Sequence, residues 1–324
     1  MDLSIIIISF NTRDLLRRCL TTALQESEGL AAETIVVDNI SRDGSPDMVR
    51  QEFPQVRLIC NDANIGFGPA NNIGFAHARG KYVLLLNSDA FPEPGAVRRT
   101  IEHMESEPKL GIVGGRLLNP DGTSQPSARM FPSVLRDFLI LSGLSTKYAK
   151  SRFFGQPDRT WSDLDVPADV DWVPGAYFCI RRDVLERVGY FDEAFYFYYE
   201  EVDLCRRVQR AGYVVRYLPD VRVLHLGGES AKGVKHLDFS SKGSQLTLWR
   251  MRSGLLYYRK HHGLAAWQVR LMESTWHALR HLRNQVSREP QRKLKAQESQ
   301  VVIKLLRQAW HDTSGGRLSP PRPW

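Results

Sequence analysis

Leu3-Ser4-Ile5-Ile6-Ile7-Ile8-Ser9-Phe10-Asn11 begins the chain with an unbroken β-branched run that stops on polar residues. Such a run suits a strand buried on both faces, as strands are in a parallel sheet covered by helices. The same reading repeats downstream. Thr34–Asp38, Val56–Cys60, Tyr82–Leu86 and Gly111–Gly115 are strand-like, and Thr12–Gln25, Ser45–Phe53, Pro69–Ala78 and Glu93–Ser106 between them carry helical patterns. Alternation of this kind predicts an α/β fold with a mostly parallel central sheet flanked by helices. Ligands of such sheets bind beyond the carboxyl ends of the strands. Ser9-Phe10-Asn11, Asp38-Asn39, Asn61 to Asn64 and Asn87-Ser88-Asp89 stand at those ends.

From Arg116 to about Pro167 the pattern loosens, with a turn expected at Asn119-Pro120-Asp121-Gly122. Order returns with the strand-like Tyr177–Ile180, a short helix over Arg182–Val188, a helix over Glu200–Ala211 and strands at Val214–Tyr217 and Val221–His225. After Gly243 the pattern becomes helical, over Gln245–Arg259 and, past a break near His261-His262-Gly263, from Leu264 to about Val286. On this second helix Val269, Met272, Trp276 and Leu279 fall on one side, which suits either an interfacial membrane helix or packing against the body. Gly315–Trp324, rich in Gly, Pro and Arg, reads as a loose terminus.

Of the 324 residues, 44 are Lys or Arg and 36 Asp or Glu, a net charge of +8. Up to Lys242 the count is 29 basic against 32 acidic, or −3; from Gly243 it is 15 against 4, or +11. The basicity belongs to the last quarter, where an anionic partner is expected. Cys19, Cys60, Cys179 and Cys205 are scattered without zinc-ligand spacing and read as buried free thiols. No signal-peptide pattern precedes the first strand, so a reducing, cytoplasmic setting is expected. The nearest approach to a membrane span, Phe138 to Leu144, is too short, so any membrane contact is peripheral.

Gly66-Phe67-Gly68-Pro69-Ala70-Asn71 fails as a dinucleotide fingerprint, because Asn71 replaces the third glycine and Pro69 intrudes. A Walker loop is absent, and so are helix-turn-helix, zinc and RNA-binding signatures. Asp89, at a strand end, offers oxygen to a hard cation such as Mg²⁺ or Mn²⁺, or caps the following helix. Asp38 suits a base imide or a ribose hydroxyl, or a turn beside Asn39. Glu200, Glu201 and Asp203 follow the aromatic run Phe195–Tyr199. Helix-dipole stabilisation accounts for some of these acids, and a partly apolar wall suits one of them to general-base work. His225 is a strand-end histidine that reads as structural or as a ligand.

Taken in order over residues 2 to 262, these elements resemble the family 2 glycosyltransferases of the GT-A fold, especially the bacterial rhamnosyltransferase-like branch. The resemblance is carried by Ser4 to Asn11, Val36-Val37-Asp38-Asn39, Asn64 to Gly68 with Asn71 to Gly74, Leu84 to Asp89, Trp172 to Ala176, Phe191-Asp192-Glu193, Tyr199 to Arg206 and His225 to Ser230. It implies a nucleotide-binding half over 1–115 and an acceptor-binding half over 116–242, to which the change of composition after Gly243 adds a basic amphipathic helical extension over 243–312 and a flexible tail over 313–324. It also implies that Phe10, Asn11, Asp38, Asn64, Gly66, Asn87 and Ser88 hold the nucleotide sugar and that Trp172, Gly175 and Ala176 line the acceptor and sugar pocket. Asn87-Ser88-Asp89 stands where the family has Asp-x-Asp, which makes Asp89 the metal ligand and Asn87 a departure; His225 matches a second ligand. Glu201 stands at the position of the catalytic base, usually Asp, with Glu200 and Asp203 as neighbours able to replace it.

The activity so implied is inverting, metal-dependent transfer of a sugar, rhamnose from dTDP-rhamnose first, to a glycan or polyprenyl-diphosphate-linked acceptor in cell-surface polysaccharide synthesis. Other UDP- or dTDP-sugars (galactose, glucose, N-acetylhexosamine), a non-catalytic scaffold and a nucleic-acid-binding protein stay open as alternatives. The basic extension would then meet an anionic membrane face and not nucleic acid.

Overall fold

The computed structural model describes residues 1–227 and 244–320. The part of the last motif formed by Gly228-Glu229-Ser230 lies outside the described residues. The first half alternates as expected: β1 (Leu3–Ser9), α1 (Arg13–Glu26), β2 (Ala32–Asp38), α2 (Ser45–Glu52), β3 (Arg57–Cys60), α3 (Phe67–His77), β4 (Tyr82–Asn87), β5 (Ala90–Pro92), α4 (Ala96–Ser106) and β6 (Leu110–Leu118). The second half has α5 (Val134–Leu141), α6 (Leu144–Lys147), β7 (Ala168–Asp169), β8 (Tyr177–Arg181), α7 (Arg182–Val188), α8 (Glu200–Arg210) and β9 (Val214–His225). Three long helices follow, α9 (Ser244–His262), α10 (Ala265–Gln285) and α11 (Pro290–Asp312).

The strands form one sheet in the order β3-β2-β1-β4-β8-β6-β9-β5, with β7 paired to β9. The β3-β2-β1-β4 side is parallel, whereas β8 runs antiparallel between β4 and β6. The β-branched run of β1 explains its central place. Leu3, Ile5 and Ile7 enter the core on one face and Ile6 the core on the other, all at most 1% exposed. Burial of each such side chain contributes about 1.5–3 kcal/mol.

Two segments read as loose are ordered. α5 forms inside the stretch expected to be irregular, with Ser133 Oγ capping its start by accepting from Arg136 N. Residues 313–320 pack against α9: Thr313 is fully buried, Gly316 N donates to Thr313 Oγ1 at 3.0 Å, and a Cβ on Gly316 would lie 2.3 Å from Leu255 O. The last four residues, 321–324, lie outside the described part. Cys19, Cys179 and Cys205 are buried free thiols, while Cys60 at the end of β3 is exposed, contrary to expectation.

The helical extension is not separate from the body. Leu256 and Tyr257 of α9 belong to the same core as Ile6, Phe178 and Val202, while Leu248, Leu255 and Tyr258 pack with Val269 of α10 and Leu305, Leu306 and Ala309 of α11. α9 therefore couples the bundle to the sheet.

Candidate active site

The carboxyl ends of β1 and β4 open into a cavity of about 380 Å³, within the size range of small-ligand sites. Phe10, Asn64, Gly66, Asn87, Ser88, Asp89, Gly175, Ala176, Glu200, Glu201 and His225 all line it, so most of the residues singled out in the sequence converge there. Gly66 is required by the backbone: its φ is +93°, and a Cβ would lie 2.3 Å from Tyr196 O. Asn64 Oδ1 accepts from Gly66 N at 3.1 Å and from the Tyr196 hydroxyl at 3.3 Å, tying this turn to the aromatic run. Ser88 Oγ accepts from Thr12 Oγ1 at 3.0 Å.

Asn11 and Asp38 stand beside the cavity. Asn11, at φ 53°, clips the end of β1 to the loop after β2, since its Oδ1 accepts from Arg42 N at 2.8 Å and its N–H donates to Ser41 Oγ at 2.9 Å. Asp38 lines an adjoining cleft with Ser41, Arg42 and Asn61. Its Oδ2 accepts from Ser41 N at 2.8 Å, and its buried Oδ1 has no hydrogen-bond partner. A buried carboxylate oxygen in that state calls for a donor from a ligand.

Asp89 and His225 meet because β5 pairs antiparallel with the end of β9. The register sets Ala90 opposite His225, and Leu226 N donates to Asp89 O at 3.0 Å. His225 Nε2 then lies 3.5 Å from Asp89 Oδ1. Gln125 fixes the imidazole: its amide nitrogen donates to His225 O at 2.7 Å and to Asn119 Oδ1 at 2.9 Å, leaving its Oε1 to accept from Nδ1 at 2.8 Å. With the proton on Nδ1, Nε2 presents a lone pair, and it is buried without a hydrogen bond. A carboxylate beside an imidazole lone pair, oriented from behind by an amide, fits a divalent cation. Among the described residues no third His, Cys, Asp or Glu completes such a group, so Asp89 and His225 are the protein donors available.

The start of α8 supplies the other acids. Tyr198 and Tyr199 both adopt left-handed φ values, 71° and 72°, unusual for two successive aromatic residues, and this turn delivers Glu200 and Glu201 to the cavity. Burial, and then the charge of Glu201, holds the Glu200 carboxyl well above its ordinary value. Burial pushes Glu201 up to about 7, against backbone N–H groups and the charge of Arg129, which pull it down. Oε2 of each is buried with no hydrogen-bond partner. The two carboxyls share one buried site, so they give up their protons as a coupled pair and not independently.

Two expected site residues are elsewhere. Asp203 is fully buried away from the cavity, accepting from Arg207 Nε at 2.8 Å, His261 Nε2 at 2.7 Å and Lys260 Nζ at 2.7 Å. Trp172 is in the core, its Nε1 donating to Met130 O at 3.0 Å and its ring covered by the Arg129 guanidinium at 4.6 Å. The pocket wall expected of Trp172 is made in part by α9: Gln245, Leu246 and Trp249 line the cavity, and the Trp249 ring lies 4.3 Å from that of Tyr196. Ser253 Oγ donates to Phe197 O at 2.8 Å, so α9 also braces the strained turn. A helical pattern in sequence does not say what a helix faces, and no signal there marked Trp249.

Residues 4–163 match the family model described as Glycosyl transferase family 2. An N-acetylglucosaminyl-diphospho-decaprenol L-rhamnosyltransferase of Mycobacterium tuberculosis is 30% identical over 241 residues, covering 68% of this chain and 75% of that protein. The rhamnosyltransferase WbbL of Escherichia coli is 26% identical over 285 residues, covering 84% of this chain and 98% of its own. Among solved structures, a mannosyltransferase of Pyrobaculum calidifontis in complex with GDP-Man and Mn²⁺ aligns with a TM-score of 0.57 at 16% identity, over 97% of this chain and 87% of that one. Likeness at that identity speaks for the fold. The chain belongs to glycosyltransferase family 2, in its rhamnosyltransferase-like branch, and has the GT-A fold.

Proposed function

We propose that this enzyme is an inverting transferase that moves a sugar, rhamnose from dTDP-rhamnose first, onto a polyprenyl-diphosphate-linked or glycan acceptor in cell-surface polysaccharide synthesis. The observation that carries the reading is one cavity holding two opposed kinds of site, the buried Glu200–Glu201 pair, each with one oxygen unpartnered, and the Asp89–His225 pair. The names of the similar rhamnosyltransferases support the choice of sugar, and the decaprenol-linked substrate in one of them supports a lipid-linked acceptor.

The chemistry follows from the acids. An acceptor hydroxyl attacks the anomeric carbon, the bond from that carbon to the diphosphate oxygen breaks, and the leaving diphosphate takes the electron pair. Ionised Glu201 accepts the hydroxyl proton as the new bond forms. Burial of both carboxyls, and the charge of Glu201 on Glu200, disfavour a second negative charge beside that base. One displacement inverts the configuration. Asp89 and His225 would hold Mg²⁺ or Mn²⁺, which when bound supplies positive charge where the diphosphate becomes more negative. Phe10, Asn64, Asn87 and Ser88 bound the donor, and Asp38 offers its unpartnered oxygen to the imide N–H of a thymine or uracil base.

Incubating the protein with dTDP-rhamnose and a panel of UDP- and dTDP-sugars, with Mn²⁺ and with chelator, tests the reading by donor hydrolysis and by transfer to polyprenyl-diphosphate-linked N-acetylglucosamine. Metal-dependent turnover of dTDP-rhamnose, lost in Asp89→Ala, is expected. Preferred turnover of another donor would replace the sugar, and no turnover of any donor would overturn the activity.

A further inference from the structure

The face that α10 turns to solvent is apolar. Leu264, Trp267, Leu271, Leu279, Leu282 and Val286 recur at spacings of three, four and eight and are each 50% to 79% exposed. At 3.6 residues per turn they form one stripe running the length of the helix, about 30 Å. The inward face is mixed, with Ala266 and Val269 packed into the helical core. His277 and Asn284 are buried there, and Glu273, the sole acid of α10, has its carboxyl pushed up to about 7 by burial. An ordinary surface helix keeps its one apolar stripe toward the core, whereas α10 carries a second one outward. Of the residues grouped in the sequence, Val269 is buried and Trp276 packs edge-on to Phe138 of α5 at 6.1 Å, as packing against the body requires, while Leu279 belongs to the outward stripe. An outward stripe of this length is a surface meant to be covered.

Its charge says by what. Where α10 turns into α11, the exposed Leu282, Val286 and Leu294 stand among Arg283, Arg288, Arg292, Lys293 and Lys295, all exposed, with Glu289 the one acid between Ser274 and Gln297. Glu289 is paired to Arg292 at 2.9 Å. Two copies of so basic a corner would repel each other, whereas an anionic lipid surface offers charge to the arginines and lysines and hydrocarbon to the leucines. No helix among the described residues is long and apolar enough to cross a membrane.

We infer that the outward face of α10, with the basic corner leading into α11, lies in the plane of an anionic bilayer and docks the enzyme there. The inference deepens the lipid-linked acceptor reading and rests on it for purpose, while its evidence is the face itself. Because α10 packs on α9 and α9 walls the cavity, a bilayer against α10 is joined to the active site by two packed helices.

Flotation with vesicles tests it on the full chain, without any substrate. The protein should float with vesicles of equal parts phosphatidylcholine and phosphatidylglycerol, and weakly with phosphatidylcholine alone. Leu271→Glu combined with Leu282→Glu should weaken binding by about tenfold or more, and Arg288→Glu or Lys293→Glu by about fivefold or more each. These side chains are solvent-exposed, so the unfolding temperature and turnover on a water-soluble acceptor should not change. Unaltered flotation of the double Leu variant, or no flotation of the wild type with either vesicle, would overturn the inference. A wild-type dimer that this variant dissociates in sedimentation would replace the bilayer by a second copy of the chain. Failure of the donor assay leaves this result standing, and failure of flotation leaves the donor assay standing.

Discussion

Glu200 and Glu201 open α8, and Asp203 sits in the same turn, yet the three carboxyl groups have opposite surroundings. The two glutamates reach the cavity with burial against them and an oxygen each left unpartnered. Burial also acts on Asp203, but the hydrogen bond from His261 and the charges of Arg207 and Lys260 outweigh it and hold its carboxyl well below the usual range. Two of these partners, Lys260 and His261, come from the end of α9. One end of the turn thus holds carboxyls raised toward neutrality, and the other is a fixed negative charge that joins the end of α9 to α8. Sequence proximity among acids carries no information about which does which; solvation and partners decide.

The largest effect should come from the raised carboxyls. Glu201→Gln keeps the shape but cannot accept a proton, and should lower turnover by about a hundred- to ten-thousand-fold. Calorimetric donor binding should persist; near-normal turnover would move the base to Glu200. On the fixed side, Asp203→Ala takes the carboxylate from the buried His261 imidazole, while Lys260 keeps Asp192 and Arg207 keeps the carbonyls of Val188, Gly189 and Tyr190, and should cost about 3 kcal/mol of stability in denaturant titration. A loss under 1 kcal/mol would mean that this cluster is not what joins α9 to α8.

Smaller effects sharpen the contrast. Trp249→Phe shortens the α9 wall of the cavity and should raise the KM for donor or acceptor by about fivefold, with kcat nearly unchanged. Glu200→Gln removes a carboxyl whose folded value is raised, a group that costs stability once pH passes its unfolded value near 4.5. The variant should therefore be more stable than wild type at neutral pH, with the gain vanishing below about pH 4. Equal stability across that range would show that Glu200 is not desolvated.

Much of this was legible in the chain. Phe10, Asn87, Ser88, Asp89 and Glu201 could be read because strand ends and helix starts follow from local pattern, and those places are where an α/β sheet binds. Asp89 and His225 were joined by resemblance alone, because their contact depends on a three-residue strand pairing with the far end of β9. Trp172 was placed in the pocket by resemblance, but its indole is satisfied by Met130 O in the core. Trp249 and the outward stripe of α10 stayed hidden for a common reason. α9 and α10 are rich in apolar residues on more than one side, and only the packing of α9, α10 and α11 against one another decides which side is left for water, for substrate or for lipid.

The dependence of kcat/KM on pH tests the central claim most directly, that Glu201 works as an ionised base whose carboxyl burial raises toward neutrality. Its carboxyl must be free of its proton to act, so activity should rise with pH through an apparent value near 7 and hold its plateau above it. A profile that stays flat down to about pH 5, where a raised carboxyl would already be protonated, would contradict the account.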